Sequence, residues 1–275
     1  MSCPDCFRGG AATGTPSGSM KTLHGFNTYI ASPRTPEATA NPTKTSSTII
    51  LFTDAFGHHL PNNKLLADAL ALKTNSTVLV PDIIPGGGMS PAILPLMDTF
   101  SSPSAGVLSK TWAMGRAMVH VIPFFMRASP QNEKCTVPCV EYARAVKKEA
   151  LQGAKLGLAG YCWGGYQALN IGKQEGLVDA VFIAHPARFE PRLAVDAVKA
   201  GVKVSFAHAG DDMSLPVGKI EETKKALDGS EALEIRVYEG CVHGFAVRAT
   251  PGKEIEAKAA DEALEQAVKW FEKWL

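Results

Sequence analysis

Three short stretches of the chain carry side chains suited to nucleophilic chemistry. The first is Gly160-Tyr161-Cys162-Trp163-Gly164-Gly165, where a strand-like apolar run turns through glycines into an amphipathic run. Such a strand–turn–helix corner ordinarily holds a serine at its tip. Here the tip is Cys162, and the helix that follows would aim its positive end at the sulfur and favour thiolate. Side chains at Gly160 and Gly164 would clash with the adjacent backbone of so sharp a turn. The second stretch is "AGDDMSLP" (209–216), which offers Asp211 and Asp212 just past a strand. The third is "YEGCVHGFAVR" (238–248), with His243 past the next strand. In the order nucleophile, acid, base, the acid would orient the imidazole, and the imidazole would take and return protons at sulfur. Taken alone, Cys162 reads first as a buried structural thiol, and it is the three stretches together that favour catalysis.

A fourth stretch, "TDAFGHHLPN" (53–62), also closes a strand. A backbone N–H there, with that of Trp163, could form an oxyanion hole. Asp54 would lie near the thiol, and a carboxylate close to sulfur disfavours thiolate. Asp54 is therefore expected to keep Cys162 protonated until substrate arrives. His185, in "AHPA", either lines the pocket or is structural. Cys3 and Cys6, with Cys135 and Cys139, could in principle supply four zinc ligands, and His58 and His59 stand adjacent. Pro4 and the Gly/Ser/Thr-rich stretch after Cys6 read instead as an arm, and no third ligand accompanies the histidine pair. No metal and no cofactor are expected.

These groups need strands to hold them. "TIILFT" (48–53) and "STVLVPD" (76–82) are continuous apolar runs of the kind buried on both faces. "KLGLAG", "AVFIAHP" (180–186), "VKVSFAHAG" (202–210) and "LEIRVYEG" (233–240) follow, and "HGFNTYIAS" (24–32) reads as an edge strand. Helical spacing recurs between them, at 63–73, in "VEYARAVKKEAL", through Gln174, near 191–200, at 217–228 and at the C-terminus. This alternation predicts an α/β class, a mostly parallel twisted sheet with helices on both faces. The expected organisation is a flexible arm over 1–21 and one domain over 22–275, with residues 33–47 as a surface loop. The Gly/Pro/Ser-rich 86–138 segment is read as a lid or binding insert, the alternative being a surface excursion whose helix packs on the core. Its Trp112, Met114, Met118, Phe124, Phe125 and Met126 are expected to pack into the core.

The net charge of +1 removes any electrostatic case for nucleic acid or anionic lipid as partner. No run approaches the apolar length of a membrane-spanning helix, and the N-terminus lacks a secretory layout. Six cysteines are too few for a disulfide scaffold. A soluble cytoplasmic protein is expected, monomeric or homodimeric.

"GYCWGG", "HGF", "GDDMSLP" and "DAFG" together resemble the dienelactone hydrolase family (carboxymethylenebutenolidases), from about His24 to the C-terminus. The resemblance implies an α/β-hydrolase fold and a Cys162–Asp212–His243 triad, with Asp212 preferred to Asp211 by its spacing to Pro216. It puts Asp54 where the family has a glutamate that contacts the resting thiol, and makes Ala55 the partner of Trp163 in the oxyanion hole. The substrate wall would take in Phe56, Trp163, His185 and Arg248. The family's two-arginine carboxylate clamp has at most one counterpart, Arg248, since "PDIIPGGG" contains no arginine. The implied activity is hydrolysis of a small-molecule lactone or activated ester through a thioester. A broad carboxylesterase or thioesterase, or a scaffold kept only for binding, are the alternatives.

Overall fold

The segment Ser47–Phe52 is buried along its whole length. Because side chains alternate along a strand, Ile49 and Leu51 enter one apolar cluster while Ile50 and Phe52 enter another. Only a central strand covered on both faces can do this. The same split recurs at Val78 and Leu79, at Leu158 and Ala159, and at Val181 and Phe182.

The structure is a computed structural model that describes residues 9–33 and 47–275. Its strands are β1 (Ser19–Leu23), β2 (Phe26–Ala31), β3 (Ser47–Phe52), β4 (Thr77–Pro81), β5 (Lys155–Tyr161), β6 (Ala180–Ala184), β7 (Lys203–Ala209) and β8 (Leu233–Tyr238). They form one sheet in the order β1-β2-β4-β3-β5-β6-β7-β8. The first two strands run antiparallel to their neighbours and the rest are parallel. The mostly parallel α/β class anticipated above is therefore the observed one.

The helices are α1 (Asn62–Thr74), α2 (Leu94–Ser101), α3 (Val107–Ala128), α4 (Glu133–Glu149), α5 (Trp163–Gly172), α6 (Pro191–Lys199), α7 (Val217–Ala226) and α8 (Glu254–Trp274). Ala67 and Leu70 of α1 and Ala263, Ala267 and Phe271 of α8 cover one face of the sheet. Helices α3 to α6 contribute to the cluster on the other.

After β3 the chain moves outward to β4, then returns to the far side of β3 as β5. The strand order thus reverses between β3 and β5. Ligands in open α/β sheets bind at such a switch, beyond the carboxyl ends of the strands. Asp54 and Ala55 follow β3 and Cys162 follows β5, so both flank that crevice.

Three expectations need correction. Ser19–Leu23 is the sheet's edge strand, not part of a flexible arm. Its exposed SMKTL carries no alternating apolar signal. Within the arm, Gly10 N–H also donates to the Ala249 carbonyl (3.2 Å), and Ala12 N–H to Asn62 Oδ1 (3.0 Å). Second, the 86–138 segment reads as irregular in sequence but is largely helical, as in the alternative of an excursion whose helix packs on the core, with Pro123 and Pro138 inside α3 and α4. Third, Trp112, Met118 and Met126 are exposed; of the six residues assigned to the core, only Phe124 is fully buried. Cys3 and Cys6, and most of the 33–47 loop, lie outside the described residues. Among the described helices, none is long and apolar enough to cross a membrane.

Candidate active site

Cys162 caps the N-terminus of α5 with φ +50° and ψ −107°, a conformation that few non-glycine residues adopt. Local packing enforces it. A Cβ on Gly164 would lie 2.1 Å from the Phe52 carbonyl oxygen, and one on Gly160 would lie 2.6 Å from the Gly164 oxygen. Only glycine lets the start of α5 settle so closely onto the end of β3. There Gly164 N–H donates to the Thr53 carbonyl (2.9 Å). Cys162 N–H donates to Ala184 O (3.2 Å), and the Cys162 carbonyl accepts from Gly165 (3.1 Å) and Ala187 (2.9 Å). The corner is held from three sides, with the buried thiol at the positive end of a helix.

The loops after β7 and β8 are laced together, Gly210 N–H donating to Tyr238 O (2.9 Å) and Asp211 N–H to Cys241 O (3.0 Å). This brings His243 Nδ1 within 2.8 Å of Asp212 Oδ2, and both side chains are fully buried. Asp211 is exposed. A group not singled out from sequence completes the pair. Ser214 Oγ donates to Asp212 Oδ1 (2.6 Å) and lies 2.9 Å from His243 Nδ1, while Ser214 N–H also donates to Oδ1 (2.8 Å). The signal was the spacing Asp-x-Ser, a local turn in which the carboxylate accepts from the residue two places on.

The electrostatics follow from these contacts. Burial alone would raise the Asp212 carboxyl, but the His243 ring and both Ser214 donors hold it well below the usual carboxylate range. Burial disfavours a charged His243, yet the Asp212 carboxylate and the Cys162 thiol more than offset this and lift its pKa well above the ordinary imidazole value. Nδ1 is committed to Asp212. Nε2 has no oxygen or nitrogen partner among the described residues, and is the nitrogen left for the neighbouring sulfur.

His185 closes β6, between the strand that presents Cys162 and the strand that presents Asp212. Its ring meets His243 edge-on with centroids 5.0 Å apart, and Phe245 at 5.8 Å. Burial and the neighbouring His243 push its pKa well below the ordinary value, so it stays neutral. It forms a floor beneath the His243 ring.

Asp54 and Arg248, expected to play separate parts, meet. Arg248 Nε donates to Asp54 Oδ2 at 2.6 Å with both side chains fully buried, and the guanidinium sits 4.7 Å above the Phe56 ring. Asp54 Oδ1 accepts from Phe56 N–H (3.1 Å) and Asn63 Nδ2 (3.0 Å). The pair thereby fixes the turn that carries Ala55, and Met89 N–H donates to the Ala55 carbonyl (2.7 Å). Trp163 supplies the first N–H of α5, while its indole N–H reaches across to the Ala128 carbonyl at the end of α3 (2.8 Å). Arg127, also missed from sequence, ties the same helix end to the Pro85 (2.9 Å) and Gly87 (3.0 Å) carbonyls. It stands against the arginine-free loop after β4.

The histidine pair is engaged otherwise. His58 Nε2–H donates to Val80 O and His59 Nδ1–H to Met89 O, each at 3.0 Å. Cys135 and Cys139 are buried thiols on α4, whose pKa values burial raises. A groove of about 470 Å³ between β8 and α8 is lined by charged groups such as Glu234, Arg236 and Lys269, and includes none of the residues above.

The sequence profile of the Dienelactone hydrolase family matches residues 26–275. Hydrolase pyvD of Aspergillus violaceofuscus is 27% identical over 271 residues, covering 98% of this chain and 96% of that one. Dienlactone hydrolase 1 of Gibberella moniliformis is 27% identical over 272 residues, covering 98% and 93%. The crystal structure of a candidate dienelactone hydrolase from Klebsiella pneumoniae superposes with a TM-score of 0.64 at 16% identity, over 93% of this chain and 98% of that one. At that identity the superposition speaks for the fold.

Proposed function

Because the chain belongs to the dienelactone hydrolase family, a family of hydrolases acting on ester bonds, we propose that it cleaves a lactone or activated ester through a thioester on Cys162, with no cofactor. One observation carries this reading: a thiol on a strained helix-capping corner lies beside an imidazole whose far nitrogen is committed to a buried carboxylate.

In the proposed sequence, the Cys162 thiolate attacks the carbonyl carbon, and the N–H groups of Ala55 and Trp163 receive the developing oxyanion. Collapse breaks the carbon–oxygen bond, and His243 gives its proton to the departing oxygen, which stays tethered when the substrate is a lactone. A water then adds to the thioester with neutral His243 taking its proton. Collapse returns the Cys162 sulfur and releases the carboxylic acid. Asp212, held by Ser214, keeps the imidazole in one tautomer and stabilises its charged form. A two-arginine carboxylate clamp forms no part of the proposal, since Arg248 is matched by Asp54.

The test is Cys162→Ala assayed on p-nitrophenyl acetate. Turnover should vanish while circular dichroism stays unchanged, and acid quench of the wild type during turnover should trap an acyl group on Cys162. A Cys162→Ala variant that hydrolyses the ester at the wild-type rate would overturn the assignment.

A further inference from the structure

Helix α3 carries apolar side chains on two opposite faces, and only one of them is covered. Ala113, Ala117, Val121, Phe124 and Ala128 face the core. On the other side Leu108, Trp112, Gly115, Val119, Ile122 and Met126 are exposed, the leucine by 87% and Met126 by 79%. Their spacing of four, three, four, three, four is that of a helix–helix seam.

We propose that this stripe is the interface of a two-fold homodimer, in which α3 packs antiparallel against α3 of a second copy. Its size and its self-complementary spacing select that occupant. The stripe spans ~27 Å at the helical rise. It offers on the order of 700 Å² of apolar surface, close to the roughly 800 Å² that each partner of a standard interface buries. It is also self-complementary. With the axis midway along the stripe, Leu108 faces Met126 of the copy, Trp112 faces Ile122 and Gly115 faces Val119, each pair occurring twice as an isologous contact requires. A Cβ on Gly115 would meet nothing within 4 Å, so the space beside it is open to the copy's indole and Val119. Finally, α3 contains no acidic residue, and Arg116 borders the stripe next to the axis. The two Arg116 side chains repel across the dimer, so added salt should strengthen association. Binding of the same face to an anionic lipid surface would weaken with salt instead.

The experiment is sedimentation of the full chain at tens of micromolar, at low and moderate salt, beside Val119→Glu. The wild type should run at twice the 29.2 kDa chain mass, more completely at the higher salt. Val119→Glu should run as a monomer with an unaltered circular dichroism spectrum and unaltered ester turnover. Register is read by mixing Gly115→Cys with Val119→Cys, which should cross-link on oxidation, whereas Leu108→Cys alone should not. A wild type that stays monomeric at both salts overturns the proposal. So does one that binds phosphatidylcholine–phosphatidylserine vesicles at low salt without self-associating, or a Val119→Glu dimer.

Discussion

Replacing Asp54 by alanine tests how the site is held. In the folded protein the carboxylate neutralises a guanidinium from which water is excluded, at 2.6 Å. Its second oxygen accepts from the Phe56 N–H and the Asn63 amide. Removing one partner of a buried pair strands the other charge, at about 3–5 kcal/mol. Each lost hydrogen bond adds about 1 kcal/mol, with partial overlap. Asp54→Ala should therefore destabilise the fold by roughly 4–6 kcal/mol. For a chain of this size that corresponds to a melting temperature lower by about 10–20 °C. The second half of the cycle is decisive. In Asp54→Ala/Arg248→Met the stranded charge is gone and an apolar chain remains over Phe56, so roughly 2–4 kcal/mol should return. Urea denaturation of the wild type, both single variants and the double variant measures the coupling. A double variant no more stable than Asp54→Ala, or a loss below about 1 kcal/mol in that single variant, refutes the reasoning.

Two predictions concern pH. The Asp212 carboxylate and the Cys162 thiol raise His243 above its ordinary 6.5, so kcat/KM should hold through neutral pH and fall on an alkaline limb above that value. Asp212→Asn should draw that limb to lower pH, and an unmoved limb in a kcat/KM profile contradicts the assignment. Burial lowers the pKa of His185 and His208, so the unfolded chain binds protons that the folded one refuses. Their stability contribution is complete above the unfolded value of about 6.5 and is lost as pH falls below it, at up to about 1.4 kcal/mol per unit and group. The melting temperature should drop between pH 7 and 5, and His208→Gln should narrow the drop; an equal drop in both proteins speaks against it.

What could be seen in the sequence was whatever the chain settles locally. β3 and β5 announce themselves because burial on both faces demands unbroken apolar runs. The elbow announces itself because Gly160 and Gly164 stand two residues either side of Cys162, Gly160 against the start of its own helix and Gly164 against the neighbouring strand β3. β1 stayed hidden: as an exposed edge, SMKTL needs neither apolar content nor alternation. Helix α3 misled for the opposite reason. Hydrophobicity marks a residue as wanting cover without saying from which molecule the cover comes, so Trp112 and Met126 read as core residues in sequence and do not enter the core.

Asp54 and Arg248 mark the deeper limit. They are 194 residues apart, and each invites a task of its own: an acid beside a thiol, a cation beside a substrate. The physics that joins them is the penalty on an unpaired buried charge, which acts only once the turns after β3 and β8 have been brought face to face. Charge pairing is thus a consequence of topology, and residue roles assigned before the topology is known count the same two charges twice. His243 escapes this because its partner lies just beyond the adjacent strand, where parallel pairing of β7 with β8 leaves its loop little choice but to meet the one carrying Asp212.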